Sequence, residues 1–241
     1  MGNSNWLRQN YKFQEISFSL DELIVLNASK GDKNIIEFAS TVSKLANDVF
    51  IPIAAGGGIR SLRDAELLFK SGADKLVLNS ALIESPELIR TLIHQYGSQS
   101  IVASIDYKIL DGVPTVFIKD GNIKTNYALP EYIKYVERLN IGEIYLNSID
   151  KDGTGFGYDL STIKTYKDDV NVPLIIAGGA GNGKHLIEAL KLDGLSAVAT
   201  ANLFNFIGNG LPNARNEIIE SGENIANWNY SKDNYERYPT N

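Results

Sequence analysis

The sequence predicts an α/β fold: a (β/α)8 TIM barrel built from two duplicated half-barrels, here lacking the first strand. Three observations predict it. Short runs of Val, Ile, Leu and Ala alternate with helix-period stretches along the chain. The second half repeats the first at an offset of 121 residues. Both halves place Gly-Gly directly after a strand, in "AAGGGIRS" and in "IAGGAGN". A doubly wound sheet is the competing architecture for the alternation alone.

Seven runs read as buried parallel strands: "DELIVLN" (21–27), "FIPIAA" (50–55), "DKLVLN" (74–79), "SIVASID" (100–106), "GEIYLN" (142–147), "VPLIIA" (172–177) and "LSAVAT" (195–200). They are nearly continuous in apolar residues, as strands covered on both faces are. Stretches 61–72 and 85–97 read as amphipathic helices, each opened by a serine N-cap and closed by a glycine. Segment 107–121 alternates and carries Asp-Gly twice, which predicts a β-hairpin. Residues 1–222 are expected to form one barrel domain and 223–241 a polar tail.

The repeat sets the count of strands. Pro52 falls on Pro173, Gly57 and Gly58 on Gly178 and Gly179, and Glu22 on Glu143. A period this long exceeds any solenoid unit and fits four βα units. The strand ending at Asp106 precedes Glu143 by 37 residues, so its counterpart would precede Glu22 by the same interval and fall before Met1. Seven βα strands are therefore expected, without the first.

Composition narrows the function. The chain has 241 residues, 44% of them hydrophobic, enough for a large core. A net charge of −6 argues against nucleic acid or an anionic membrane as the partner. Cysteine is absent, which removes thiolate nucleophiles and thiolate metal sites. No run reaches the ~18 apolar residues of a membrane span, and the first residues lack a signal-peptide core, so a cytoplasmic protein is expected.

Ligands of parallel α/β folds sit at the carboxyl ends of the strands. Glycine there lets backbone approach a phosphate, and the following helix adds free N–H groups and a positive dipole. Gly57–Gly58 and Gly178–Gly179 fit that role, with Asn79, Ser80, Thr200 and Ala201 one strand later closing each cradle. The competing reading is that a turn needs glycine for positive φ alone. Two copies in register favour an elongated ligand with a phosphate at each end. Arg60 reads as a solvated charge.

Asp106 ends an apolar strand, where a carboxylate is costly unless it serves acid–base chemistry. The alternative is an ion pair with Lys108. The loop "NSIDKDGTGFGYD" lacks the acidic ligands of a calcium loop, so Asp152, Gly153 and Thr154 are read as substrate contacts and no metal is expected. Glu22, Lys75 and Glu143 lie at strand starts, where spacing alone suggests solvated rim charges or stabilising salt bridges. His94 and His185 are read as structural.

The segments "DELIVLNASK", "PIAAGGGIRSLRDAELLFKSGADKLVLNSALIESPELI", "YGSQSIVASIDYK", "GEIYLNSIDKDGTGFGYDL" and "VPLIIAGGAGN" resemble, in order and spacing, the cyclase subunit (HisF) of imidazole glycerol phosphate synthase. The resemblance covers about residues 20–205. It implies a lyase of histidine biosynthesis that takes ammonia from a glutaminase partner in a heterodimer. Its substrate is a phosphoribulosyl-formimino aminoimidazole carboxamide ribonucleotide, which it cleaves and cyclises to imidazole glycerol phosphate without a cofactor. It also implies that Asp106, in "SIDYK", is one of two acid–base aspartates, the other belonging to the first strand. Glu22, Lys75 and Glu143 would form an ammonia gate. Asn27 and Ala201 depart from the family's aspartate and serine. Two further functions compete: a HisF-like subunit that passes ammonia to an enzyme amidating a surface-polysaccharide sugar, and a non-catalytic scaffold for the glutaminase.

Overall fold

A computed structural model describes residues 19–29, 31–205 and 210–226. Seven strands run parallel in chain order: β1 (Leu23–Leu26), β2 (Ile53–Gly56), β3 (Lys75–Leu78), β4 (Ile101–Leu110), β7 (Glu143–Ser148), β8 (Leu174–Ala177) and β9 (Ala197–Val198). A doubly wound sheet reverses its strand order at a switch point. This one never does, and it curls as the strands of a (β/α)8 barrel do. Among the described residues β1 and β9 each have a single strand neighbour, so the sheet is open between them.

Helices α1 (Ile35–Asp48), α2 (Leu62–Lys70), α3 (Ser80–Glu84), α4 (Pro86–Tyr96), α5 (Leu129–Glu137), α6 (Leu160–Tyr166), α7 (Gly183–Leu190) and α8 (Gly210–Glu220) accompany the strands. Their starts follow local chemistry. Asn34 Oδ1 accepts from Ile36 and Glu37 N–H at α1, and Ser61 Oγ accepts from Asp64 N–H at 3.2 Å at α2. The stretch predicted as one helix at 85–97 is preceded by the short α3, and Ser85 joins the two. Ser85 holds the N-cap position of α4 without a side-chain cap bond; Pro86, with its fixed φ and missing N–H, starts that helix instead.

Two apolar layers result. Between helices and sheet, residues such as Leu68, Leu82, Ile89 and Leu92 are fully buried against outward-facing Ile101, Ala103 and Ile105 of β4. Inside the barrel Ala54, Val77 and Val102 form a separate small cluster with Ile24 and Tyr145. On β7 the alternation is explicit: Ile144, Leu146 and Ser148 are buried, while Glu143, Tyr145 and Asn147 occupy the intervening positions.

The predicted hairpin is one strand richer. β4 runs on to Leu110 and turns through Asp111 and Gly112, both at positive φ, into β5 (Val113–Ile118). A second turn at Lys119–Gly121, again at positive φ, leads into β6 (Ile123–Ala128). β6 is largely polar and exposed, so it carries no apolar signal. The meander brings its tip over the barrel mouth: Lys119 N–H donates to Ser80 Oγ at 3.2 Å, and Lys119 Nζ meets Glu84 at 2.7 Å.

Asp159 ties this end of the barrel to α6. Its Oδ1 accepts from Ser161 Oγ at 2.7 Å and Thr162 N–H at 3.2 Å, and its Oδ2 accepts from Tyr107 OH at 3.0 Å. Burial alone would raise the carboxyl, but these donors outweigh it and hold it below its ordinary value. The native value lies under the unfolded one, so this stabilisation is complete above the unfolded pKa and lost as pH falls through the native pKa. Asp159→Asn is expected to cost about 1–2 kcal/mol at neutral pH, with the gap to wild type narrowing as pH falls below the ordinary aspartate value near ~4, as urea melts on either side of that value would measure.

Candidate active site at the carboxyl ends of the strands

The three consecutive glycines have three separate causes. A Cβ on Gly56 would lie 2.2 Å from the carbonyl oxygen of Val77 on β3. Gly57, at φ +98°, packs against the backbone of Asn27 at the end of β1, and Gly58, at φ +87°, packs under the side chain of Lys33. The second half repeats the pattern. Gly178 lies against the Ser148 backbone at the end of β7, and a Cβ on Gly179 would stand 2.1 Å from the Gly157 carbonyl oxygen. Positive φ and close approach therefore act together in both turns.

A cavity of about 1620 Å³ runs from the strand ends down the open side between β1 and β9 to Glu22; at the strand ends it is lined by Gly57, Gly58, Asn79, Ser80, Asp106, Asp152, Gly178, Thr200 and Ala201. A smaller one of about 190 Å³ is lined by Asp152, Gly153, Gly178, Gly179, Thr200 and Ala201. Every residue expected at the two cradles thus lines one cavity or both, except Thr154. Its hydroxyl donates to the Lys151 carbonyl and accepts from Phe156 N–H, which shapes the loop instead. Asp150 likewise fastens the loop, accepting from Ile109 N–H at 2.8 Å. His185 is structural: its Nδ1 accepts Gly181 N–H at 3.1 Å and steadies the second turn.

Asp106 sits in the larger cavity. Its Oδ1 accepts from Asn147 Nδ2 at 3.0 Å and its Oδ2 from Asn79 Nδ2 at 3.3 Å. The ion pair with Lys108 does not form; that ammonium lies over the Phe117 ring at 5.3 Å. Burial pushes the Asp106 carboxyl up, the Asn147 bond opposes it, Asp120 and Asp152 add to the rise, and Lys33 counters them. The net rise suits proton transfer. Asn147 escaped the sequence reading, although its place two residues beyond Tyr145 on an inward column was the available signal. Lys33 and Asp120 carried no signal.

At the opposite end, Lys75 Nζ bridges Glu143 Oε1 at 2.6 Å and Glu22 Oε2 at 2.8 Å, with all three side chains mostly buried. Of the two alternatives that spacing suggests, solvated rim charges or salt bridges, they form the salt bridges. Burial would lower the lysine, and the two carboxylates more than reverse it. Glu22 Oε1 and Glu143 Oε2 are buried without a hydrogen-bond partner among the described residues. Above this ring the wall is apolar apart from Tyr145, whose phenol burial keeps neutral. Arg60 pairs with Asp32 at 3.0 Å, both largely exposed.

A family model described as histidine biosynthesis protein matches residues 5–208. The chain belongs to this family. Within the histidine biosynthesis protein family, a provisionally named imidazole glycerol phosphate synthase subunit hisF2 of Parasynechococcus marenigrum is 42% identical over 229 residues, covering 95% of this chain and 85% of its own. Imidazole glycerol phosphate synthase subunit HisF of Pyrobaculum aerophilum is 38% identical over 205 residues, covering 85% and 81%. The HisF subunit of Dictyoglomus thermophilum is 33% identical over 223 residues, covering 92% and 86%. No described helix is long and apolar enough to cross a membrane.

The elevated Asp106 makes a signed prediction. A carboxyl whose native pKa exceeds its unfolded value destabilises the fold as pH rises between the two. Asp106→Asn is expected to melt higher than wild type at neutral pH, and the advantage should vanish below about pH 4, where the aspartate is neutral in both states. Equal melting temperatures throughout would show that the site imposes no electrostatic cost.

Proposed function

We propose that the chain is a cyclase-type subunit of imidazole glycerol phosphate synthase. It cleaves and cyclises the phosphoribulosyl-formimino ribonucleotide with ammonia from a glutaminase partner, as the resemblance implies. One observation carries the reading: a single cavity is lined by residues of both glycine turns and by a buried carboxyl with raised proton affinity. A substrate with a phosphate at each end, anchored at Gly57–Gly58 and Gly178–Gly179, would lie across Asp106. Backbone N–H groups and the N-terminus of α2 bind the anions without titrating themselves. Asp106, oriented by Asn79 and Asn147, supplies one of the two acid–base groups that the resemblance implies.

The ring of Lys75, Glu22 and Glu143 fits an entry for ammonia, because it is a polar closure beneath a wall of Ala54, Val77, Val102 and Ile24 whose one polar group is the Tyr145 phenol. The barrel domain of this reading is residues 1–222, of which 1–18 lie outside the described residues, as do 227–241 of the tail; Ile225 of the tail packs against the core.

A second reading is an ammonia-supplying subunit for amidation of a sugar. It is favoured by Asn27, whose side chain accepts Ser29 N–H at 3.2 Å at a position where the family carries an aspartate. Ammonia and the ribonucleotide substrate separate the two. Under the cyclase reading, substrate absorbance falls, and Asp106→Asn slows turnover by about 10²–10⁴-fold. Lys75→Ala is expected to depress glutamine-driven turnover while sparing the reaction fed with free ammonia. No loss of substrate with wild-type protein would overturn the cyclase reading.

A further inference from the structure

We propose that Lys33 is the cation of the first anion cradle and that Asp120 is its built-in competitor, so that an incoming phosphate takes Lys33 from Asp120. The proposal rests on the phosphate reading of the Gly57–Gly58 turn. Lys33 follows β1, and its stem lies over that turn: a Cβ on Gly58 would meet Lys33 Cβ at 2.8 Å and Cδ at 3.5 Å. The second glycine thus makes room for the lysine as well as for backbone curvature.

Three cations near this turn line the large cavity, each already paired with an acid: Lys33 with Asp120, Arg60 with Asp32, and Lys119 with Glu84. Lys33 differs in burial. Its side chain is 15% exposed, against 69% for Arg60 and 50% for Lys119. Ordering a lysine stem costs rotamer entropy, so a buried ammonium held in one place calls for a strong partner. Asp120 is a weak one. It sits at the tip of the meander, 57% exposed, 2.8 Å from Lys33 Nζ. A bridge with one wet partner contributes little and exchanges easily. A phosphate dianion beside Gly58 offers more charge and more acceptor oxygens, with the turn's N–H groups sharing the load.

At the second cradle a Cβ on Gly179 would meet Lys151 Cβ at 3.1 Å, so a lysine stem lies there too, but the small cavity is lined by Asp152 and not by Lys151. What sets the first cradle apart is the half-buried ammonium that lines the cavity already paired to Asp120. The exchange also reaches Asp106, which Lys33 draws down and Asp120 pushes up. Moving Lys33 to the phosphate leaves Asp120 unneutralised and raises the proton affinity of Asp106.

The test is a titration of ¹⁵N-labelled protein with inorganic phosphate, read at the Gly58 amide with the Gly179 amide as internal control. Lys33→Met is expected to weaken binding at Gly58 about tenfold, and Asp120→Asn to tighten it about threefold, with Gly179 unchanged. In the double variant, binding should match Lys33→Met, because the aspartate acts only through the lysine. Asp120→Asn tightening binding even without Lys33 would mean simple repulsion and overturn the proposal, as would equal affinities in both single variants. A wild-type protein with no phosphate response at Gly58 would instead remove the cradle reading itself.

Discussion

Everything at the mouth of this barrel depends on one contact made twice. The Gly57 turn is pressed against the backbone of Asn27, and the Gly178 turn against that of Ser148. Both neighbours end the preceding strand, and they stand at the same offset as the glycines themselves. A side chain at either glycine would drive the turn away from its neighbour strand and tilt the helix start behind it. Backbone donors carry no proton to lose, so an anion site built from them works independently of pH.

Against that neutral frame the titratable groups are few and separated along the axis. Lys75 bridges Glu22 and Glu143 at the strand starts, while Asp106 stands at the strand ends held by two carboxamides. Carboxamide donors stabilise a carboxylate less than a cation does, so burial keeps the upper hand and the proton affinity stays raised. An arginine in place of Asn147 would produce a permanent ion pair unable to exchange protons. β7 alone contributes Glu143, Tyr145 and Asn147 at alternate positions, one at each level of the interior. Strand alternation thus converts a six-residue run into a vertical division of roles.

The legible parts of the sequence were those where one cause dominates. Continuous apolar runs marked all seven parallel strands, because helices cover one face and the barrel interior the other. Gly-Gly after a strand marked both cradles, because positive φ and close approach both demand glycine. Asp106 stood out by its cost. The illegible parts depend on long-range placement. β6 is polar, and only the path of the meander makes it a strand. Lys33 and Asp120 are 87 residues apart and look like ordinary surface charges until the fold joins them. The strand-start charges left a solvated rim and a salt bridge open by position, and only pairing across the barrel decides for the bridge.

Duplication explains the symmetric frame, and the meander breaks it. β4 opens the second half of the repeat, and its extension folds back over the first half, touching Ser80, Glu84 and Lys33. Asp106 lies on the same strand, four residues before that extension turns. The first cradle is therefore assembled from both halves, whereas the second is assembled from one. In the proposed exchange, an anion arriving at Gly58 frees Asp120 in the β5–β6 turn of the meander that continues β4; an anion arriving at Gly179 meets only residues of its own half. A symmetric barrel acquires a direction in this way, and under the proposed function an elongated ligand with a phosphate at either end would be told head from tail without any change to the glycine turns themselves.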